Sequence, residues 1–229
     1  VKPWENVSLY ANHIEALSPG KVAPWYTANA GNVTGIIHAK QNEVGVKFDN
    51  QRYGGTLALF EITRPAGSID ATTNVYTLGG EQRNRGVELS LFGEPLSGLR
   101  LLGGATWTEA ELRGTTGGIN DGNQAVGVPE FQFNVGADWD VPGVPGLSLN
   151  GLLLRTGGQY VDTANDYSIP AWTRVDLGAR YKTRLDQRAV TFNAVVENVA
   201  DENYWASANG GYLTQGAPRT FKVSATVDF

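Results

Sequence analysis

The 229-residue chain contains no cysteine and no methionine, and only two histidines, His13 and His38. Without cysteine there is no disulfide scaffold, no thiolate zinc site and no thiol nucleophile. Two histidines cannot build a His-rich metal site. No apolar run approaches the ~18 residues that a membrane helix needs. A basic majority is also missing: 18 Lys and Arg stand against 23 Asp and Glu, for a formal net charge of -5. Phosphate backbones call for a clustered basic face, so no nucleic-acid partner is expected. No targeting segment is visible at Val1. The chain opens on VKPWENVSLY, inside a strand-like stretch, and reads as a fragment or processed product whose targeting information was cut away.

What the chain does have is glycine, at 29 residues, with 6 Trp, 9 Tyr and 8 Phe. Glycine-rich turns with many aromatics suit an all-β protein. A mean hydropathy of -0.25 would fit a protein in water, but a β-barrel wall escapes that test because only alternate residues meet lipid. Period-two alternation is the main signal. Phe131, Phe133, Val135, Ala137, Trp139 and Val141 share one parity, and Gln132, Asn134, Gly136, Asp138 and Asp140 take the other. A helix would scatter these sets, whereas a strand puts one on each face. Phe221, Val223, Ala225, Val227 and Phe229 alternate in the same way with Thr220, Lys222, Ser224, Thr226 and Asp228. The pattern predicts about ten strands of membrane-spanning length, near 4–17, 41–50, 54–64, 81–94, 98–112, 129–141, 147–159, 172–183, 188–199 and 219–229, with no helix of consequence.

The connections alternate in length. Short turns (DNQRYGG, GEPLSG, PGVPG, RLDQR) follow the even-numbered strands. Long Gly-, Asn- and Thr-rich loops, such as RGTTGGINDGNQAVGVP and NYWASANGGYLTQGAPR, follow the odd-numbered ones. This is the pattern of an antiparallel up-and-down transmembrane β-barrel in a bacterial outer membrane, with tight periplasmic turns and long extracellular loops. The implied strand directions put apolar-parity Phe48, Trp139, Tyr181 and Phe229 near the periplasmic ends. Trp107, Phe131 and Phe221 fall near the extracellular ends. Two aromatic girdles are therefore expected.

Several stretches taken in order resemble the C-terminal barrel portion of TonB-dependent siderophore receptors of the ferrichrome type. They are SLYANHIEALSPG, KQNEVGVKFD, GGTLALFEITRP, GGEQRNRGVELSLFGEPLSGLRLLGGATWTEAEL, and VENVADENYW followed by GAPRTFKVSATVDF. The resemblance covers essentially the whole chain, residues 1–229. It implies a segment of a larger barrel of roughly 22 strands with a plugged lumen, the plug lying outside this sequence. It implies ferric siderophore as the transported ligand, no cofactor, no enzymatic activity, and energising through TonB by way of an N-terminal region not present here. In this family the terminal aromatic is read by the barrel-assembly machinery, which assigns that role to Phe229.

Aromatic side chains offer bulky chelates large rigid contacts with a polar handle. The candidate ligand contacts are therefore the loop aromatics Trp25, Tyr26, Tyr160, Tyr167, Trp172, Tyr204, Trp205 and Tyr212. Glu43, Lys47, Glu88, Asn134, Asp138, Asn193 and Glu197 are expected to line the lumen. Arg83 and Arg85 share the outward parity of Val87, Leu89 and Leu91. They would either meet lipopolysaccharide phosphates or be turned inward by a bulge. GGINDGN does not have the spacing of an EF-hand loop. Two other classes stay open: a complete ten-strand barrel acting as a protease, and a passive porin or adhesin. The protease needs histidine with carboxylates at the outer rim, whereas His13 lies toward the outer end of the first strand and His38 is expected in a loop.

Overall fold

The structure, a computed structural model, describes residues 1–208 and 212–228. Ten long strands form one antiparallel sheet: β1 (Val7–Ser18), β2 (Ile37–Asp49), β3 (Tyr53–Ile69), β4 (Tyr76–Leu96), β5 (Leu99–Arg113), β6 (Phe131–Asp140), β7 (Leu147–Thr156), β10 (Trp172–Leu185), β11 (Arg188–Glu197) and β14 (Thr220–Val227). Two small ribbons stand in the connections, β8 (Gln159–Tyr160) with β9 (Ser168–Ile169), and β12 (Trp205–Ser207) with β13 (Thr214–Gln215). Among the described residues, helical structure is confined to a 3₁₀ turn at Thr116–Gly118. Every long strand bonds to the next in chain order. The peptide groups are thus satisfied between strands, which a bilayer interior demands.

The register fixes the two faces. One row runs Ala11, Val44, Leu59, Val87, Trp107, Phe131 across β1 to β6. The opposite face carries Lys47, Thr56, Ser90, Gly104, Asn134, Leu154 and Arg174 from β2 to β10. The sheet is one layer thick, so apolar side chains on the first face have nothing of the chain above them. Val223 is 83% exposed, a placement that water disfavours and lipid does not. The second face is polar and forms the lumen wall. There the Tyr10 ring lies across Gly45, where a Cβ would come within 2.6 Å of it, and its hydroxyl donates to Glu43 at 2.6 Å. Glycine at 45 lets the ring lie flat on the sheet.

The expected girdles are present on the first face. Phe48, Trp139 and Tyr181 stand exposed near the short turns, and Trp107 and Phe221 near the long loops. Trp107 packs on Phe131 with ring centroids 5.0 Å apart. Phe229 lies outside the described residues.

Three expectations need correction. The connection after β3 is not a long loop. β3 and β4 continue pairing through Pro65–Glu81 to Ile69–Tyr76 and close through residues 70–75. Pro65, Gly67, Gly79 and Gly80 read as loop by composition, but neighbouring segments hold this hairpin upright. Ser68 and Thr116 share a hydroxyl contact at 2.8 Å, and Asn29 bonds both backbone groups of Tyr76. His38 is in β2 rather than a loop, paired opposite Leu17. No bulge turns Arg83 and Arg85 inward; the register is continuous through both, and its shifts fall at Ala66/Ser68 and Gly93/Leu96.

Candidate functional site

The candidate site is built at the long-loop end. Its root is Asn198, φ 52° and 1% exposed, just past the end of β11. Its backbone N–H donates to Asp176 Oδ1 at 2.8 Å, and its Nδ2 donates to the carbonyls of Glu202 (2.9 Å) and Ala217 (3.0 Å). Its Oδ1 accepts from Glu202 N at 3.0 Å. Asp176 is itself buried and takes Arg174 at 2.9 Å. One asparagine thus closes both ends of the last loop onto the lumen wall, and an ion pair in β10 supports it.

This closure presents aromatic rings. Trp172 stacks on Tyr204 with centroids 4.5 Å apart, tilted by 30°. Gly216 lies beneath that tyrosine, since a Cβ there would meet its ring at 2.4 Å. Trp172, Tyr204, Trp205, Arg155, Glu202 and Gln215 line a cavity of about 640 Å³. Trp172 Nε1 is buried without a hydrogen-bond partner, which leaves a donor beside the cavity. An adjoining cavity of about 450 Å³ extends past Gln132, Asn134, Thr156 and Gln159.

The loops are joined to one another. Asn123 Nδ2 donates to the carbonyls of Thr163 and Ala164, and Asn165 exchanges two hydrogen bonds with the Gln124 backbone. Gln159 bonds Ala206 and Ala208 across to the last loop. Asn74 and Asn29 tie the first loop to the β3–β4 hairpin. Three loop carboxylates fix local turns. Backbone N–H donation from Tyr167, and to a lesser degree from Asp166 and Ala164, holds Asp162 below the usual carboxylate range. Donors at Thr73 and Thr72 do the same for Asp70, as does Thr115 for Asp121. Asp121, inside GGINDGN, thus serves Thr115 as a turn acceptor.

Of the eight candidate aromatics, Trp172, Tyr204 and Trp205 are brought together. Tyr160 sits in the β8–β9 ribbon, where its carbonyl accepts from Gly127, and Tyr167 is exposed beside it. Trp25 and Tyr26 form their own T-shaped pair on the first loop, at 5.5 Å. Trp25 is 87% and Tyr212 79% exposed, so neither is part of the packed cluster. Sequence reasoning by ring type missed Arg155, Glu202, Gln159 and Asn198. Asn198 and Glu202 both lie in the VENVADENYW stretch, but nothing in it marks which side chains are buried or bonded.

The expected lumen residues Glu43, Lys47, Glu88, Asn134, Asp138, Asn193 and Glu197 all fall on the polar face. Several are ion-paired along the wall: Lys222 with Glu197 at 2.5 Å, and Asp138 with both Arg100 and Arg180. Arg83 and Arg85 are on the outward face, each held by a glutamate on a neighbouring strand. Arg83 Nε donates to Glu61 at 2.6 Å, and Arg85 grips Glu109 with two bonds of 2.8 and 2.9 Å. His13 shares this belt, bonded to Asn42 at 2.7 Å.

The TonB dependent receptor-like, beta-barrel family matches residues 1–199. The ferrichrome receptor FcuA of Yersinia enterocolitica is 54% identical over 236 residues, covering 100% of this chain and 31% of its own length. The ferrichrome outer membrane transporter/phage receptor of Escherichia coli is 30% identical over 239 residues, covering 97% of this chain and 30% of its own. Among solved structures, BauA, the ferric preacinetobactin receptor from Acinetobacter baumannii, superposes with a TM-score of 0.86 at 40% identity, over 100% of this chain and 35% of that one. The chain spans about a third of the length of these relatives. With its single ten-stranded sheet, apolar outer face and polar inner face, this chain belongs to the TonB-dependent receptor β-barrel family and is a segment of a bacterial outer-membrane barrel wall.

Proposed function

We propose that this chain is the C-terminal part of the barrel of an outer-membrane receptor for ferric siderophore uptake. It supplies barrel wall and outer loops, with plug and further strands in the rest of the parent protein. The observation that carries this reading is the rooted cluster of Trp172, Tyr204 and Trp205 with Arg155 and Glu202 at the long-loop end of the wall. It offers apolar faces, a cation and an anion, a set suited to a bulky polar chelate. The 54% identity to a ferrichrome receptor makes ferrichrome the first ligand to try. Trp25, Tyr26, Tyr160, Tyr167 and Tyr212 would contribute as further contacts on the same roof. In the intact receptor, Trp172→Ala with Tyr204→Ala should weaken ferric siderophore binding about tenfold or more, the loss of ~1.4 kcal/mol. Fluorescence quenching titration measures it, and an unchanged Kd would sink the assignment.

Energising would come through TonB, engaged by the parent's N-terminal region, and assembly through recognition of the terminal aromatic Phe229. The outward belt of Arg83, Arg85, Glu61 and Glu109 stands just above the lipid-facing apolar rows, where lipopolysaccharide headgroups would contact it. Each arginine keeps N–H groups beyond those its glutamate uses, so phosphate would join existing pairs. Replacing both arginines by Gln should lower lipopolysaccharide retention; retention at the native level would argue against the contact. The protease reading is not favoured, because His13 and His38 share the outward face, away from the lumen.

A further inference from the structure

The outward face has a groove near its periplasmic end, across β2 to β6. Its walls are Val46, Leu57, Leu89, Leu91, Leu101 and Val135, all on the apolar parity. Its volume is about 570 Å³. Leu91 is flanked in register by Gly55 on one side and Gly103 on the other. A Cβ at Gly55 would lie 2.8 Å from the Ser90 carbonyl oxygen, and one at Gly103 would lie 3.1 Å from that of Asn134. No side chain can be placed there without moving backbone, so the protein does not fill the groove from within.

The periplasmic mouth is different in kind. Phe48, Tyr53 and Pro95 line it. Arg52 stands beside them, fixed by Nε donating to the Glu94 carbonyl at 2.8 Å and Nη2 to the Pro95 carbonyl at 3.1 Å, with its guanidinium 5.6 Å from the Tyr53 ring centroid. The nearby carboxylates are engaged elsewhere: Glu94 accepts from Gly98 N and Asp49 from Gln51 N. Among the described residues Arg52 has no ion pair. An exposed guanidinium held in place by neutral carbonyls keeps its charge and free N–H groups for an anion.

We propose that this groove binds one phospholipid of the periplasmic leaflet, its acyl chain against the leucine walls and its phosphate on Arg52. The apolar trough meets the bilayer interior while the fixed cation stands at the headgroup level, and a diacyl phospholipid has that polarity in that order. A lipopolysaccharide would place its phosphates at the opposite end of the strands. The inference rests on the barrel's place in the membrane and not on the siderophore reading.

Native mass spectrometry of the intact receptor, reconstituted with phosphatidylglycerol and phosphatidylethanolamine and then extracted in mild detergent, tests it. The parent sequence should retain one phospholipid. Leu57→Trp, which fills the trough, should cut the retained fraction about tenfold, as loss of one apolar chain contact would. Arg52→Gln should reduce it and abolish any preference for phosphatidylglycerol. Val223→Trp, on the same face but on β14, should leave retention as it was. Ferric siderophore binding, unchanged in all three, verifies that each variant is folded, and its failure in the parent would bear only on the siderophore reading. Equal retention in Leu57→Trp and the parent overturns the proposal. So does a receptor dimer that Leu57→Trp dissociates, which would make the groove a protein interface.

Discussion

Asn198 carries more of the outer architecture than any aromatic near it. Its side chain serves Glu202 N, the Glu202 carbonyl and the Ala217 carbonyl in a buried setting. Asn198→Ala strands these groups, at about 1–3 kcal/mol for each that water cannot reach. Hydrogen exchange over residues 198–219 of the intact receptor should rise strongly while exchange in β10 and β11 changes little. A uniform rise would show that the residue supports the barrel and not the loop. Asp162 is the titrating counterpart. Its carboxyl is lowered in the folded state, so it stabilises the turn at pH above the unfolded value of about 3.9 and loses that contribution as pH falls through the lowered folded value. Proteolytic nicking between 157 and 171 should therefore stay low from neutral pH to about 4 and increase below it. Asp162→Asn should be nicked already at neutral pH. The sequence announced neither role. Asn and Asp are common loop residues, and which of them is buried or bonded depends on segments far away in the chain.

At the level of elements, alternation sufficed to find all ten long strands and their faces, because parity is a local property of an extended chain. It failed for β3 and β4 above the membrane. There the pairing survives a run of Pro65, Gly67, Gly79 and Gly80 through contacts from the β1–β2 and β5–β6 connections. Within the strands some glycines are fixed by close approach. At Gly86 a Cβ would sit 2.1 Å from the Trp107 carbonyl oxygen, with the Phe60 ring at 2.8 Å. Gly86→Ala should destabilise the barrel by about 1–3 kcal/mol, as overpacking does. Urea unfolding of the refolded receptor would measure it, and a neutral result would mean that the strands can part locally. The salt-bridged belt of Arg83 and Arg85 follows the same logic. Sequence parity gave their face, but their glutamate partners come from β3 and β5, which only the register supplies.

For the molecule as a whole, the sheet has two strands with one neighbour each, β1 and β14. In a closed barrel such edges are paired; in the isolated 229-residue chain they present unbonded N–H and C=O groups. Produced alone in detergent, this chain should associate, and size-exclusion chromatography should find species larger than the monomer. A stable monomer would mean that the two edges find each other.

The amino-acid order alone determined the strand number, the parity of each face, the alternation of short and long connections everywhere but after β3, and the aromatic girdles. Each depends on residues within a few positions of one another and on the two solvents that the wall divides. Tertiary structure decided which loop residues meet. Trp172 and Tyr204 are 32 positions apart in the chain, yet they share a cavity with Arg155 because the register of β7, β10 and β11 brings their ends to one rim. It also decided that Arg52, in a turn like any other, stands at the mouth of a groove made by five adjoining strands.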